Sequence, residues 1–147
     1  MNRRDFIHTS CITCAAGIGI LTLLQSCTTH KYVSAFKIEL NKISVKRSEF
    51  TVVKKGKAIQ QKFILIKPEN SLFPIALYKL PNDQFKALYL ECSHQGCELN
   101  AYETTMVCPC HGAEFNTKGE VTQGPAEVPL KTFITSTDAE NVYIQIA

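Results

Sequence analysis

The chain of 147 residues lacks several features that would place it in common functional classes. Its formal net charge is only +3, and no dense run of Lys and Arg is interleaved with aromatic residues, which argues against nucleic-acid binding. No long window shows the i, i+3, i+4, i+7 apolar spacing of an amphipathic helix, and the chain has no internal repeat or low-complexity segment. Since the length suits one domain with a real core, these absences leave one globular domain that is not helical.

The chain also lacks a long hydrophobic run, although its amino-terminal part is apolar. The stretch from Cys11 to Leu24 has about fourteen residues diluted by Thr, Cys and Gly, whereas a membrane-spanning helix needs ~20. Arg3-Arg4-Asp5-Phe6-Ile7 resembles a twin-arginine export signal, and Leu24-Gln25-Ser26-Cys27 resembles a bacterial lipobox. We therefore expect residues 1–26 to be an export signal, Cys27 to be lipid-modified and residues 27–34 to be a tether.

Two alternatives for this segment stay open, because Gln25 departs from the small or apolar residue usual at its position in a lipobox. They are an uncleaved transmembrane anchor and a plain cleaved signal. All three interpretations place the protein on the periplasmic side of a bacterial inner membrane, and two tie it to that membrane. Cys11 and Cys14 form a C-x-x-C, which we interpret as ordinary signal residues because nothing folded surrounds them.

From Tyr32 onward the pattern is that of short strands. β-branched and aromatic runs of four to seven residues are separated by polar turns or by turns with Pro, Asn and Asp. These runs are Phe36–Leu40, Phe50–Val53, Phe63–Ile66, Ile75–Tyr78, Phe85–Leu90, Phe133–Thr135 and Val142–Ile146. The pattern predicts an all-β sandwich or small barrel over residues 35–147.

Four Cys and two His are concentrated within twenty residues. They form two segments, Cys92-Ser93-His94-Gln95-Gly96-Cys97 and Cys108-Pro109-Cys110-His111-Gly112, each with one Cys and one His at ligand spacing and a further Cys. A structural zinc site is one interpretation, but zinc motifs pair like with like, as C-x2–4-C and H-x3–5-H. A purely disulfide-bonded domain is another.

The two motifs, C-x-H-x-G-C and C-P-C-H-G, resemble the cluster-binding boxes of the Rieske [2Fe–2S] family, over about Glu91 to Pro129. The resemblance implies an antiparallel β sandwich or barrel with a small inserted cluster-binding subdomain at about 91–127. It implies one [2Fe–2S] cluster with four protein ligands, which are Cys92 and Cys108 on one iron and His94 and His111 on the other. Two imidazoles in place of two thiolates make the cluster less negative and raise its reduction potential.

The resemblance also implies a disulfide between Cys97 and Cys110. It would enclose fourteen residues, counting both ends, and hold the two loops at a fixed separation. An oxidising compartment permits such a bond. With Cys27 assigned to lipid and two Cys in the signal, the odd count of seven Cys is accounted for.

Three positions around the boxes differ from the quinol-oxidising members that the family contains. Ala113 and Phe115 stand where those members have Ser and Tyr, whose hydroxyls donate hydrogen bonds to sulfur. Fewer donors stabilise the reduced cluster less, so we expect a lower potential. Gln95 replaces a Leu that packs over the histidine edge, which argues against direct quinol docking. Pro125 lies in a segment resembling the loop that covers the cluster in the family, with a simple turn as the alternative.

Charge is distributed unevenly along the mature chain, which has 14 bases and 12 acids once Arg3, Arg4 and Asp5 are removed. Residues 91–127 hold six acids and one base, a charge of −5, and the rest is +7. An acidic cluster end would steer a basic partner such as a c-type cytochrome.

We expect a one-electron carrier between extracytoplasmic redox partners, with His94 and His111 at the exposed edge. The alternative is an electron-transfer subunit of a quinol–cytochrome oxidoreductase or of an arsenite-oxidase-type molybdenum enzyme. No residue pattern of a nucleophile or substrate pocket is present, so we assign no catalytic residue to this chain.

Overall fold

The computed structural model describes residues 32–146, so the predicted export signal, Cys27 and most of the predicted tether lie outside the described residues. In the described part the strands are β1 Tyr32–Val33, β2 Phe36–Glu39, β3 Lys42–Lys46, β4 Thr51–Lys54, β5 Lys57–Gln60, β6 Phe63–Ile66, β7 Ile75–Lys79, β8 Phe85–Tyr89, β9 Asn100–Ala101, β10 Thr105–Val107, β11 Glu114–Asn116, β12 Val121–Gln123, β13 Thr132–Thr137 and β14 Asn141–Gln145. Short 3-10 helices occupy Arg47–Phe50 and Pro81–Asp83. Between residues 32 and 146 no helix is long and apolar enough to cross a membrane.

Eight strands form one sheet in the order β1-β6-β7-β8-β13-β14-β3-β2. All neighbours are antiparallel except β1 and β6, which are parallel. The two edge strands, β1 and β2, follow each other directly in the chain, so the sheet curls into a nearly closed barrel. The all-β prediction is confirmed. The sheet begins at Tyr32, within the segment assigned to the tether.

Strands β6 and β7 are buried on both faces, and this explains their sequences. One core joins residues such as Ile64, Ile66 and Leu77 to the inward residues of β3 and β14. On the opposite face, Phe63, Leu65 and Tyr78 pack against a second core supplied by residues 99–130. Because both faces are covered, β6 reads as an uninterrupted apolar run, whereas β3 alternates between buried and exposed residues.

The second core belongs to a small subdomain inserted between β8 and β13. Its sheet has the order β12-β11-β10-β9. The Tyr78 hydroxyl donates to the Tyr102 carbonyl at 2.7 Å, which fixes this sheet against β7. Gly119 has a φ of +87°, and a Cβ there would lie 2.8 Å from Leu88 Cδ2, so only glycine permits this close approach to β8. The subdomain is therefore packed tightly on the outer face of the barrel.

The strand directions define two ends of the barrel. We call the end at which β8 ends and β13 begins the upper end, because the subdomain leaves and rejoins the barrel there. The opposite end, at which β3 ends and β6 begins, is the lower end. A separate two-stranded hairpin, β4–β5, connects β3 to β6 at the lower end.

Candidate metal centre

Two loops of the subdomain share the same backbone closure. In the first loop, Cys92–Cys97, the N–H of Cys92 donates to the carbonyl of Cys97 at 2.8 Å, and the N–H of Gly96 donates to the carbonyl of Cys92 at 2.8 Å. The second loop, Cys108–Ala113, has the same two bonds. The N–H of Cys108 donates to the carbonyl of Ala113 at 2.8 Å, and the N–H of Gly112 donates to the carbonyl of Cys108 at 3.0 Å. Gly96 and Gly112 have φ values of +71° and +76°, the left-handed conformation that such closure requires.

The two loops are joined by a disulfide between Cys97 and Cys110, whose Cα atoms lie 6.6 Å apart. This is the bridge that the family resemblance implies. It connects the last residue of the first loop to the third residue of the second, so it sets the distance between them directly. The remaining described cysteines, Cys92 and Cys108, are free thiols and are buried.

The thiols of Cys92 and Cys108 interact with each other and with backbone N–H groups. Burial raises the pKa of Cys92 above its ordinary value, partly opposed by the N–H groups of His94 and Gln95. Burial also raises the pKa of Cys108, but the N–H groups of Cys110 and His111, with the Cys92 thiol, outweigh it and the pKa is lowered. Each sulfur therefore lies beside two amide donors that stabilise a thiolate.

The imidazoles of His94 and His111 meet edge to face, with ring centroids 5.0 Å apart. His94 is half-buried and His111 is exposed. The Nδ1 atom of His94 is buried and, among the described residues, has no hydrogen-bond partner. A buried nitrogen without a partner is costly, and a metal ion accounts for it. Two thiols that interact with each other and two imidazoles that meet edge to face form a donor set that fits a metal centre.

Three cysteine sulfurs also lie close together beside the predicted ligands, but they do not form a set of metal ligands. The Sγ atoms of Cys97, Cys108 and Cys110 lie within 4.8 Å of one another. Two of these sulfurs form the disulfide and carry no thiolate, so only Cys108 is available to a metal. The group places the disulfide immediately beside one predicted ligand.

The residues that differ from quinol-oxidising relatives are also positioned by the structure. Ala113 and Phe115 are fully buried. They bring no hydroxyl to the second loop or to β11, which follows it. Gln95 is exposed at the tip of the first loop.

The segment containing Pro125 is fastened to both loops. Gln123 donates from Nε2 to the carbonyl of Gly112 at 3.0 Å, and Ser93 donates from Oγ to the carbonyl of Val128 at 2.6 Å. Pro125 itself is exposed. Sequence reasoning selected Pro125 and missed Ser93 and Gln123, because neither stands in a spacing that predicts a contact between segments.

A family model of the Rieske [2Fe-2S] domain matches residues 41–134. The chain belongs to the Rieske family. Bacillus subtilis YhfW, described as a Rieske 2Fe-2S iron-sulfur protein, is 55% identical over 42 residues, which are 27% of this chain and 8% of that protein. The chloroplastic iron-sulfur subunit of the rice (Oryza sativa subsp. japonica) cytochrome b6-f complex is 40% identical over 52 residues, 34% of this chain and 22% of that subunit. The match thus spans less than a quarter of either relative.

Among solved structures, the plasma-membrane Rieske protein PetC3 of the cyanobacterium Synechocystis PCC 6803 is similar to the chain. The TM-score is 0.50 at 31% identity, and the match covers 56% of this chain and 85% of that one. The fold and the loop geometry agree with this assignment. This protein is a Rieske electron-transfer domain, and its cofactor is one [2Fe–2S] cluster.

The chain's own residues prepare the site for that cluster. When bound, a Rieske cluster supplies a one-electron couple. Cys92 and Cys108 would hold it from the buried side, and His94 and His111 from the other. The amide donors beside the two sulfurs stabilise negative charge there, and the exposed His111 ring offers a contact at the surface.

Proposed function

We propose that this Rieske protein is a one-electron carrier, exported across a bacterial inner membrane and tethered to it, that passes electrons between redox proteins on the periplasmic side. The observation that carries the proposal is the asymmetry of the proposed ligands. The residues Cys92 and Cys108 are 2% and 1% exposed, whereas His111 is exposed. The histidine side is therefore the edge through which electrons exchange with partners.

The charge of the subdomain supports a basic partner such as a c-type cytochrome. Six acids and one base lie between residues 91 and 127. Four of the acids are exposed, which are Glu98, Glu103, Glu120 and Glu127. Because electrostatic steering acts on encounter, the partner's positive charge should raise the association rate at low salt.

A second candidate is a subunit of a quinol–cytochrome oxidoreductase, and the similarity to the cytochrome b6-f iron-sulfur subunit favours it. The buried Ala113 and Phe115 and the exposed Gln95 argue against it, since they supply neither hydroxyl donors nor an apolar docking edge. Stable co-purification of the native protein with a cytochrome b would contradict the proposed carrier and support the subunit.

The test of the carrier is spectroscopic and kinetic. The reduced protein should give the rhombic Rieske signal in electron paramagnetic resonance, with a midpoint in the lower half of the range from about −150 to +300 mV. Reduced protein should transfer electrons to a basic c-type cytochrome faster than to an acidic one, and added salt should remove the difference. Equal rates at low salt would contradict the proposed partner, and a midpoint near +300 mV would contradict the lowered potential.

The tether has a separate test in the host cell. Radiolabelled palmitate should be incorporated into the wild-type protein and not into Cys27→Ala, and the protein should fractionate with the periplasmic face of the membrane. Label in the variant, or recovery in the cytosol, would contradict this part of the proposal.

A further inference from the structure

The β4–β5 hairpin is a two-stranded sheet of its own, separate from the eight-stranded sheet of the barrel. Its strands pair only with each other, from Thr51↔Gln60 to Lys54↔Lys57. All of β5 is exposed, and Val53 on β4 is 70% exposed. The hairpin is nevertheless firmly rooted, because the N–H of Gln61 donates to the carbonyl of Phe50 at 2.7 Å and the Phe50 ring is buried.

The tip of this hairpin combines positive charge with exposed apolar side chains. Lys55 and Gly56 form its two-residue turn, with φ values of +50° and +74° as a type I′ turn requires. Lys54, Lys55 and Lys57 surround the turn, and within residues 32–146 none forms an ion pair. The ten residues 51–60 contain no acid. Val53 precedes Lys54 on one face of the hairpin, and the 46% exposed Ile59 lies on the other face with Lys54 and Lys57.

The hairpin faces away from the loops that hold the cluster. It connects β3 to β6 at the lower end, whereas Cys92 follows the upper end of β8. β1 is parallel to β6 and so runs toward the upper end, with Tyr32 opposite Leu65 and Val33 opposite Ile66, the last two residues of β6.

We propose that the tip of the β4–β5 hairpin docks on an anionic lipid surface, with its three lysines at the headgroups and Val53 and Ile59, which lie on its two faces, at the interface. Clustered lysines are attracted to anionic lipid, and exposed apolar residues add to that attraction. Docking at the lower end directs the histidine edge away from the bilayer. This inference rests on the membrane location in the proposed function, and goes beyond it by stating which surface meets the lipid.

The chain contains no tryptophan, so one introduced tryptophan reports on its own position. We would reconstitute full-length holoprotein carrying Val53→Trp into phosphatidylglycerol vesicles, with brominated or ordinary acyl chains. The matched control is Leu72→Trp, because Leu72 is 74% exposed but lies in the β6–β7 connection at the upper end. A third protein combines Val53→Trp with Lys54→Gln, Lys55→Gln and Lys57→Gln.

The brominated lipid should quench Val53→Trp strongly and Leu72→Trp little. Quenching of Val53→Trp should be lost in phosphatidylcholine vesicles, at 1 M salt where the Debye length is ~3 Å, and in the triple-glutamine protein. Each lysine raises the partition constant onto anionic lipid about fivefold, so removing all three should lower the partition constant of the hairpin about a hundredfold.

The outcomes separate this inference from the tether. If the protein stays on the vesicles while Val53→Trp is unquenched, the result contradicts docking of the hairpin and agrees with the proposed tether. The inference would also be overturned if Leu72→Trp were quenched as strongly as Val53→Trp. The same holds if the quenching of Val53→Trp did not depend on lipid charge, on salt or on the three glutamine substitutions. Protein that never associates with the vesicles would overturn both proposals.

Discussion

The first and second loops have the same backbone closure but opposite arrangements of side chains. Both begin at a buried Cys, and both place a left-handed Gly four residues later. The histidine is the third residue of the first loop and the fourth of the second. Within residues 32–146, His94 is half-buried and its Nδ1 has no hydrogen-bond partner, while His111 is exposed. The two loops thus place their thiols alike but differ in how far the imidazole reaches the surface.

The loops also differ in their final residue, whose carbonyl accepts the closing bond. Cys97 ends the first loop and is disulfide-bonded, whereas Ala113 ends the second and is a buried methyl group. At its final residue the first loop is restrained by a covalent bond and the second by packing, because the disulfide is attached to the second loop at Cys110 instead. Four sets of substitutions test how far the two loops are equivalent.

The largest effect is expected from removing either thiol. Cys92→Ser and Cys108→Ser should each abolish the Rieske resonance signal and the bound iron, because an alcohol does not replace a thiolate as a soft ligand. The barrel should keep its far-ultraviolet circular dichroism, since its own core contains neither residue. Ser93→Ala is the control and should retain iron. Full iron occupancy in one of the two cysteine variants would show that only one loop holds the metal.

Removing the covalent restraint should have the next largest effect. The double variant Cys97→Ser, Cys110→Ser should lose ~3 kcal/mol of unfolding free energy, because a loop of ~15 residues is no longer closed in the unfolded chain. Denaturant unfolding with and without a thiol reductant measures it. Reductant should destabilise the wild type and leave the double variant unchanged. A loss below ~1 kcal/mol would show that packing already holds the loops together.

The two glycines should be equally sensitive. Gly96→Ala and Gly112→Ala should each cost ~1–2 kcal/mol, since both place a Cβ in the left-handed region. Steric clashes do not contribute to this cost. The new Cβ would meet nothing nearer than Glu91 Oε1 at 3.6 Å in the first loop and nothing within 4 Å in the second.

The matched controls for this pair are Gly96→Asn and Gly112→Asn. Asparagine tolerates the left-handed region, so each should cost less than the alanine variant. Thermal unfolding of all four proteins provides the measurement. Alanine costs that differ by more than twofold between the loops would show that their closure is not equivalent.

The smallest effect is a change in potential at the last residue of the second loop. Ala113→Ser adds a hydroxyl, and a differential hydrogen bond of ~0.5–1.5 kcal/mol should raise the midpoint by roughly 20–65 mV for one electron. Redox titration followed by resonance spectroscopy measures the shift. Ala101→Ser is the control, since Ala101 is a buried alanine of the same subdomain outside both loops. A lower midpoint in Ala113→Ser would show that no such bond forms.

Local patterns predicted much of the fold. Phe63–Ile66 is both the predicted run and the observed β6, because a strand buried on both faces must be apolar throughout. β5 was not predicted, because Lys57–Gln60 is exposed along its whole length and shows no apolar alternation. Its position follows from the Lys55-Gly56 turn and from pairing with β4. Ser93 and Gln123 escaped prediction because their partners lie 35 and 11 residues away.

The sequence by itself determined the donor atoms and the closure of each loop, because those contacts span only four or five residues. The motif resemblance added the cofactor and the disulfide partner. Only the tertiary structure decided that the two thiols are buried together, that His111 rather than His94 is exposed, and that the basic hairpin lies at the opposite end of the barrel from the cluster loops. The physical reason is that burial and direction depend on how distant strands pair, and strand pairing is set by the whole core rather than by any one segment.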